Sequence, residues 1–235
     1  MDCIRGVGMM DFSGIKELTI GGVKLKELSV DGVKLWQSGR LPAGYTELEY
    51  IEATGTQYID TGITAHSGVD VEMSIMILSP VKSTGTAILS STDGSVRAYI
   101  EANYMSPSFR WMFGANTTYN ANNTLWEFDT RYKFSIEWGT SQSEIYVDGV
   151  RHMTLKHGTF DNGCNMYLFA RNTSGTASKI GNARVYYLKM WDSGTLARDL
   201  VPAKYKDGAV GLYDLVTNTF FTNAGTGEFI AGGAV

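Results

Sequence analysis

Residues 103–128, NYMSPSFRWMFGANTTYNANNTLWEF, crowd flat aromatic rings and planar polar groups into one short span. A sugar ring has an apolar C–H face and a rim of hydroxyls. It is therefore gripped by aromatic faces together with amide or guanidinium groups. Tyr104, Arg110, Trp111, Asn116, Tyr119, Asn120, Asn122, Asn123 and Trp126 offer both kinds of group. The preceding stretch VRAYIEANY alternates Val96, Ala98, Ile100 and Ala102 with Arg97, Tyr99, Glu101 and Asn103, as a strand with one buried face does. The candidate carbohydrate-binding set is Tyr99, Glu101, Asn103, Arg110, Trp111, Asn116, Tyr119, Asn122 and Trp126. The competing assignment makes Trp111 and Trp126 core residues and the Asn-Thr run a polar loop, because large aromatics are usually buried.

Other chemistry finds little footing. His66, His152 and His157 are scattered, with no pair at ligand spacing and no nearby cysteine, and so read as surface residues rather than a zinc site. Cys3 and Cys164 are too few and too far apart for a disulfide framework and read as free thiols. GTGEF, residues 225–229, lacks the helix that a phosphate loop needs and reads as a turn before a last strand. No Ser/His/Asp or Cys/His set stands out, and no cofactor is expected.

The elements that must position these residues are strands. DVEMSIMIL, RYKFSIEWG, MYLFA and ARVYYLKMW carry strand patterns, and EIYVDGVRHM adds a hairpin with Asp148-Gly149 at its turn. The chain has 235 residues with 27 Gly and only 4 Pro, which suits many short strands joined by tight turns. No stretch of ten or more residues shows a convincing helical period. Strands with one apolar face each must pair face to face, so the expected class is all-β, a two-sheet antiparallel sandwich of jelly-roll type. The net charge of −4, without a block of like charge, argues against nucleic acid or an anionic membrane as partner. The first residues contain no basic segment followed by an apolar run and cleavage site, and no run is long enough to span a bilayer, so no export signal is expected.

Residues 15–39 say nearly the same thing twice. ELTIGGVKL returns ten residues later as ELSVDGVKL. Gly21-Gly22 and Asp31-Gly32 are two-residue hairpin turns, which would set Ile20 against Val23, Leu18 against Leu25, Val30 against Val33 and Leu28 against Leu35. The apolar phase breaks between Leu25 and Leu28, which calls for a bend or bulge near Lys26-Glu27. Such small hairpins are marginal alone, so their apolar faces are expected to pack on something else. The division expected is a leader with tandem docking hairpins over 1–39 and a sandwich over 40–235.

Several separated segments also resemble a known group in the same order: LPAGYTELEYIEATGTQYIDTGI (41–63), EIYVDGVRHM (144–153), YLFARNTSG (167–175) and residues 183–229. Over about residues 41–230 the chain resembles the concanavalin A-like lectin/glucanase superfamily, in its laminin-G-like variety. That variety recurs in virion and tail proteins of phages of gut bacteria and in surface proteins of those bacteria. The resemblance implies two curved antiparallel sheets whose concave face or rim loops often bind glycans, in a binding or structural role. It makes the expected molecule a non-enzymatic virion protein released by lysis. Leu18, Ile20, Val23, Leu25, Leu28, Val30, Val33 and Leu35 would then join it to virion proteins or to sister subunits, in a homo-oligomer. The rivals are a bacterial surface adhesin or carbohydrate-binding module, and a glycan hydrolase. Against the catalytic Glu-x-Asp-x-x-Glu strand of glucanases, ELEYIE offers Glu47, Glu49 and Glu52 but has Glu where Asp is expected. Relatives often hold calcium near the sheet rim. Asp161, Asn162 and Asn165 of FDNGCN supply three oxygens without matching a calcium loop and read as a turn.

Overall fold

A computed structural model describes residues 19–20, 23–24, 27–30, 33–37, 40–79, 85–102, 108–115, 118–122 and 127–235. The chain divides into two compact units, Met1–Ala43 and Gly44–Val235. In the first, β1 (Thr19–Ile20) pairs with β2 (Val23–Lys24), and β3 (Glu27–Val30) pairs with β4 (Val33–Gln37), both antiparallel. Ile20 stands opposite Val23 and Val30 opposite Val33, as two-residue turns require. Leu28 is a correction: it pairs with Trp36, not Leu35, because the register shifts between Leu28 and Ser29. The irregularity thus lies inside the second hairpin, where Leu35 becomes the extra residue of a bulge. Leu18 and Leu25 lie outside the described residues.

The second unit is built from strands, and no helix occurs among its described residues. In chain order they are β5 (Tyr45–Glu47), β6 (Ile51–Thr54), β7 (Ile59–His66), β8 (Val69–Ile77), β9 (Thr86–Thr92), β10 (Arg97–Ala102), β11 (Ser108–Gly114) and β12 (Thr118–Asn122). Next come β13 (Arg131–Trp138), β14 (Gln142–Val147), β15 (Val150–Lys156), β16 (Asp161–Leu168), β17 (Arg171–Thr173) and β18 (Thr176–Ser178). The last are β19 (Asn182–Asp192), β20 (Thr195–Tyr205), β21 (Val210–Asp214), β22 (Thr219–Phe221) and β23 (Ile230–Ala231). Asp148 and Gly149 both take positive φ, 49° and 79°, which makes the β14–β15 turn the primed type that the strand twist favours.

Two sheets result. The smaller runs β12-β11-β10-β9-β16-β7, with β17 and β18 attached beside β9. The larger runs β15-β14-β13-β8-β19-β20-β21-β22, with β5, β6 and β23 off that path. One pairing departs from the antiparallel expectation: β17 runs parallel to β9. The inner faces are those read from alternation, with Val71, Met73, Ile75 and Ile77 of β8, Ala98, Ile100 and Ala102 of β10, and Phe134, Ile136 and Trp138 of β13 all buried. Aromatic rings bridge the layers. Trp111 lies 6.0 Å from Phe134, and Phe113 lies 4.9 Å from Trp138, measured between ring centroids.

The outer face of the larger sheet is charged. Glu144, Glu137 and Asp70 stand directly opposite one another on β14, β13 and β8, and Trp191 of β19 follows Asp70 in the same row. One register step away, Glu72 takes Lys133 at 2.9 Å and the Tyr187 hydroxyl at 3.1 Å. Burial, together with Glu72, pushes that hydroxyl up to about 12. Burial also raises the Asp70 carboxyl above its ordinary value, against the opposing pull of the Trp138 backbone N–H that it accepts at 3.0 Å.

This packing has two measurable outcomes. Trp111→Ala should lower stability by about 3–5 kcal/mol, the usual result of emptying a buried aromatic site, and a denaturant melt measures it. Asp70→Asn should raise the melting temperature near neutral pH. A carboxyl whose folded pKa is raised favours folding when protonated, and that contribution is lost as pH rises through the folded value. Asn removes the charge facing Glu137 and keeps an acceptor for the Trp138 N–H. The gain over wild type should therefore shrink as the pH is lowered toward 4, which thermal melts across that range will show.

Candidate functional site

The nine sequence-predicted binding residues do not form one surface. Trp111 is 1% exposed and belongs to the inter-sheet core, so it leaves the set; alternation turns it inward. On β12, Tyr119 pairs with Trp111 and Asn122 with Ser108. Asn103, Asn116 and Trp126 lie outside the described residues. What remains together is Tyr99, Glu101 and Arg110, on the outer face of the smaller sheet. Glu101 stands opposite Arg110, and Tyr99 stands opposite Met112.

Tyr99 and Glu101 share the face but are not simply solvated. They are 5% and 2% exposed. Two residues that sequence reasoning missed cover them. Arg171 donates from Nε and from a terminal nitrogen to the two Glu101 oxygens, both at 2.6 Å, a bidentate pair. Its guanidinium also stacks 4.0 Å from the centre of the Tyr99 ring. Lys179 Nζ approaches the same carboxylate at 3.5 Å. On the other side of Ser90, which pairs with both Tyr99 and Tyr167, Tyr167 stacks on Tyr58 with centroids 4.9 Å apart. Burial and the Asp60 carboxylate hold the Tyr167 hydroxyl above its ordinary value.

Local chain geometry explains why these groups converge. A bulge between β9 and β10 pairs Ile100 with Leu89 but Glu101 with Ala87, leaving Ile88 as the extra residue. Such a bulge bends the strand and re-aims the neighbouring side chains. At Phe169 the chain enters the left-handed region, with φ 67°, although the residue is fully buried. A bulky residue there is strained and is held only by its surroundings. Its N–H donates to the Ile88 carbonyl at 2.7 Å, its carbonyl accepts from Gly181 at 2.8 Å, and its ring lies 5.7 Å from that of Phe229. This turn throws β17 alongside β9, placing Arg171 beside Ser90, and the Lys179 carbonyl accepts from the Ala87 N–H at 2.9 Å. The one signal for Arg171 in the sequence is a cation directly after the apolar run YLFA.

The arrangement fixes a planar donor, Arg171, over the buried Tyr99 ring, and such a guanidinium is one of the two kinds of group a sugar requires. The other candidates disperse. Glu47 lies on β5 beside β20, while Glu52 lies on β6 beside β19 and is held by Arg184 at 2.6 Å, so ELEYIE supplies no single carboxylate strand. Asp161 and Asn162 each accept the N–H two residues on, from Gly163 and Cys164, as turn residues do. His66 approaches Asp192 at 3.4 Å, and His157 meets the Ser143 hydroxyl at 2.7 Å. Gly225 to Phe229 turn the chain ahead of β23, and Gly225, Gly227, Glu228 and Phe229 line a cleft of about 570 Å³ with Asp207–Val210.

No family model and no curated protein matches the chain. Solved structures do. A candidate carbohydrate-binding protein from Bacteroides ovatus is matched over 80% of this chain at 12% identity with a TM-score of 0.57. This chain spans 60% of the length of that protein. The carbohydrate-binding module CBM66 from Bacillus subtilis is matched at 16% identity over 60% of this chain and 91% of its own, with a TM-score of 0.38. The galectin LEC-6 from Caenorhabditis elegans is matched at 10% identity over 60% and 95%, with a TM-score of 0.36. The first of these carries the comparison, and what it establishes is the fold: an all-β sandwich of the jelly-roll kind.

Proposed function

We propose that the Gly44–Val235 unit is a non-enzymatic glycan-binding module, with its site on the outer face of the smaller sheet. The observation that supports this most directly is Arg171, which is stacked on Tyr99 while fixed at both ends of the Glu101 carboxylate. A guanidinium so held is preorganised and loses little freedom when it donates to a ligand hydroxyl. The shared fold with a candidate carbohydrate-binding protein agrees with this reading. A screen of the full chain on immobilised oligosaccharides should show saturable binding without release of reducing ends. Release would assign a hydrolase instead.

The carrier we propose is a phage particle, to which the N-terminal hairpins attach the module; this setting rests on the sequence resemblance. The tandem hairpins support it, since each pairs two apolar positions across a tight turn, Ile20 with Val23 and Val30 with Val33, and two-stranded units of this size need a partner. The partner is a virion protein or a sister subunit in a homo-oligomer. Replacing Ile20 and Val30 together by Asp would put an unpaired charge in each face. Sedimentation should then show loss of self-association, or particles should lack the protein, while the sandwich keeps its cooperative melt. Wild-type assembly by the double variant would make residues 14–39 a passive leader.

A further inference from the structure

The proposed glycan face gathers four cations. Arg97, Arg110, Arg171 and Lys179 lie on it or at its margin. Their carboxylate neighbours are Glu101 on β10 and Asp60 on β7, which stands in the row that runs Tyr99–Ser90–Tyr167–Asp60. Asp93, at the turn between β9 and β10, is engaged by the backbone N–H groups of Ser95 and Val96.

The cations are not equally committed. Arg171 and Lys179 face Glu101, at 2.6 and 3.5 Å. Arg110 sits opposite Glu101 in the register, yet its Nε is buried and has no hydrogen-bond partner among the described residues. Arg97 reaches the Ala115 carbonyl at 3.5 Å, the limit of a hydrogen bond. Arg97 stands at one end of the pairing between β10 and β11, opposite Gly114, and Arg110 one row short of the other end, opposite Glu101. Four residues of strand separate their rows, about 13 Å at the usual rise. Between them lies the Tyr99–Arg171 stack.

Covering such a strip with a neutral ligand would strip water from guanidinium groups without returning a counter-charge, which is costly. A planar anionic group returns both charge and geometry, because a guanidinium fork matches a carboxylate or a sulfate with two parallel hydrogen bonds. Resting on the glycan-binding reading above, we infer that the ligand is an anionic glycan. It carries carboxylate or sulfate groups, one held at Arg110 and another at Arg97, with a sugar ring between them over Arg171, which covers the Tyr99 ring. The strip is short and the chain as a whole is acidic, which disfavours a nucleic acid, whose footprint needs a wider basic surface.

The test is an array bearing neutral, uronate-containing and sulfated oligosaccharides of matched length, with short single-stranded DNA beside them, probed with the full chain at low and physiological salt. Binding to an acidic class at least about tenfold above the neutral sugars, weakened by salt and reduced about tenfold or more in Arg97→Gln/Arg110→Gln, is the expected result. The melting temperature of that variant should stay near wild type; Arg171 is left intact because it holds the buried Glu101. Preference for the uronates or for the sulfated sugars identifies which anionic group is read. Equal binding of neutral and acidic sugars overturns the inference and leaves the glycan reading standing. DNA bound as well as the acidic sugars overturns it in favour of a general polyanion surface. Binding to no sugar overturns both.

Discussion

The structure of the sandwich depends on an aromatic seam between its layers. Trp111 and Phe113 of β11 meet Phe134 and Trp138 of β13 across the gap, and all four are essentially excluded from water. A strand has a side-chain period of two, so sending positions 111 and 113 inward sends 110 and 112 outward. The register then carries the choice to the next strand, where Ala98 and Ile100 turn inward with Phe113 and Trp111, and Tyr99 and Glu101 turn outward with Met112 and Arg110. A slip of one residue would drive Arg110 and Glu101 into the core and expel the rings. The polar face is therefore a by-product of burying the aromatic one.

That face carries an electrostatic problem of its own. Glu101 is almost wholly excluded from water, and a carboxylate in that position is tolerated only with close cationic partners. Arg171 and Lys179 come from the two ends of the β17–β18 hairpin, which the chain reaches through the left-handed turn at Phe169. Strain at a buried phenylalanine would not survive unless the surroundings held it. The main-chain bonds to Ile88 and Gly181, and the contact with Phe229, supply that hold. The parallel pairing of β17 with β9 is the consequence, and it lays a cation across the tyrosine rather than beside it.

Much of this was legible in the amino-acid order, and the reason lies in periodicity. The alternation in β8, β10 and β13 is strict, so both the strands and their inner faces could be read directly, as could the Asp148-Gly149 turn. Tyr99 and Glu101 were legible as one face for the same reason, whereas the register that sets Arg110 opposite Glu101 was not. Trp111 was misjudged because a local run of aromatics and amides resembles a sugar platform, and burial depends on β13, which is distant in sequence. Arg171 and Lys179 were missed because Glu101 and Arg171 are 70 residues apart, and no local pattern encodes an ion pair at that range. In the leader, Val30 opposite Val33 follows from the turn, but the slip to Leu28 opposite Trp36 requires a bulge that alternation cannot foretell.

The two outer faces arrange their charges differently, and in the proposed role this bears on how the module would meet a ligand. The larger sheet aligns Glu144, Glu137 and Asp70 side by side, an arrangement that strand pairing disfavours and that burial of Asp70 makes worse. On the smaller sheet Arg171 and Lys179 gather around Glu101, whose carboxylate is thereby satisfied. An anionic ligand of the proposed kind would be drawn toward Arg97 and Arg110 on the smaller sheet, so its orientation would be biased before contact is made. That bias acts over about a Debye length, some 8 Å at physiological salt, which is short beside the domain but comparable to the strip between Arg97 and Arg110. Steering of this kind alone would be indifferent to the chemistry of the polyanion. What can discriminate is the spacing of Arg97 and Arg110, since two guanidinium forks about 13 Å apart are met together only by a ligand whose carboxylate or sulfate groups are set at that distance.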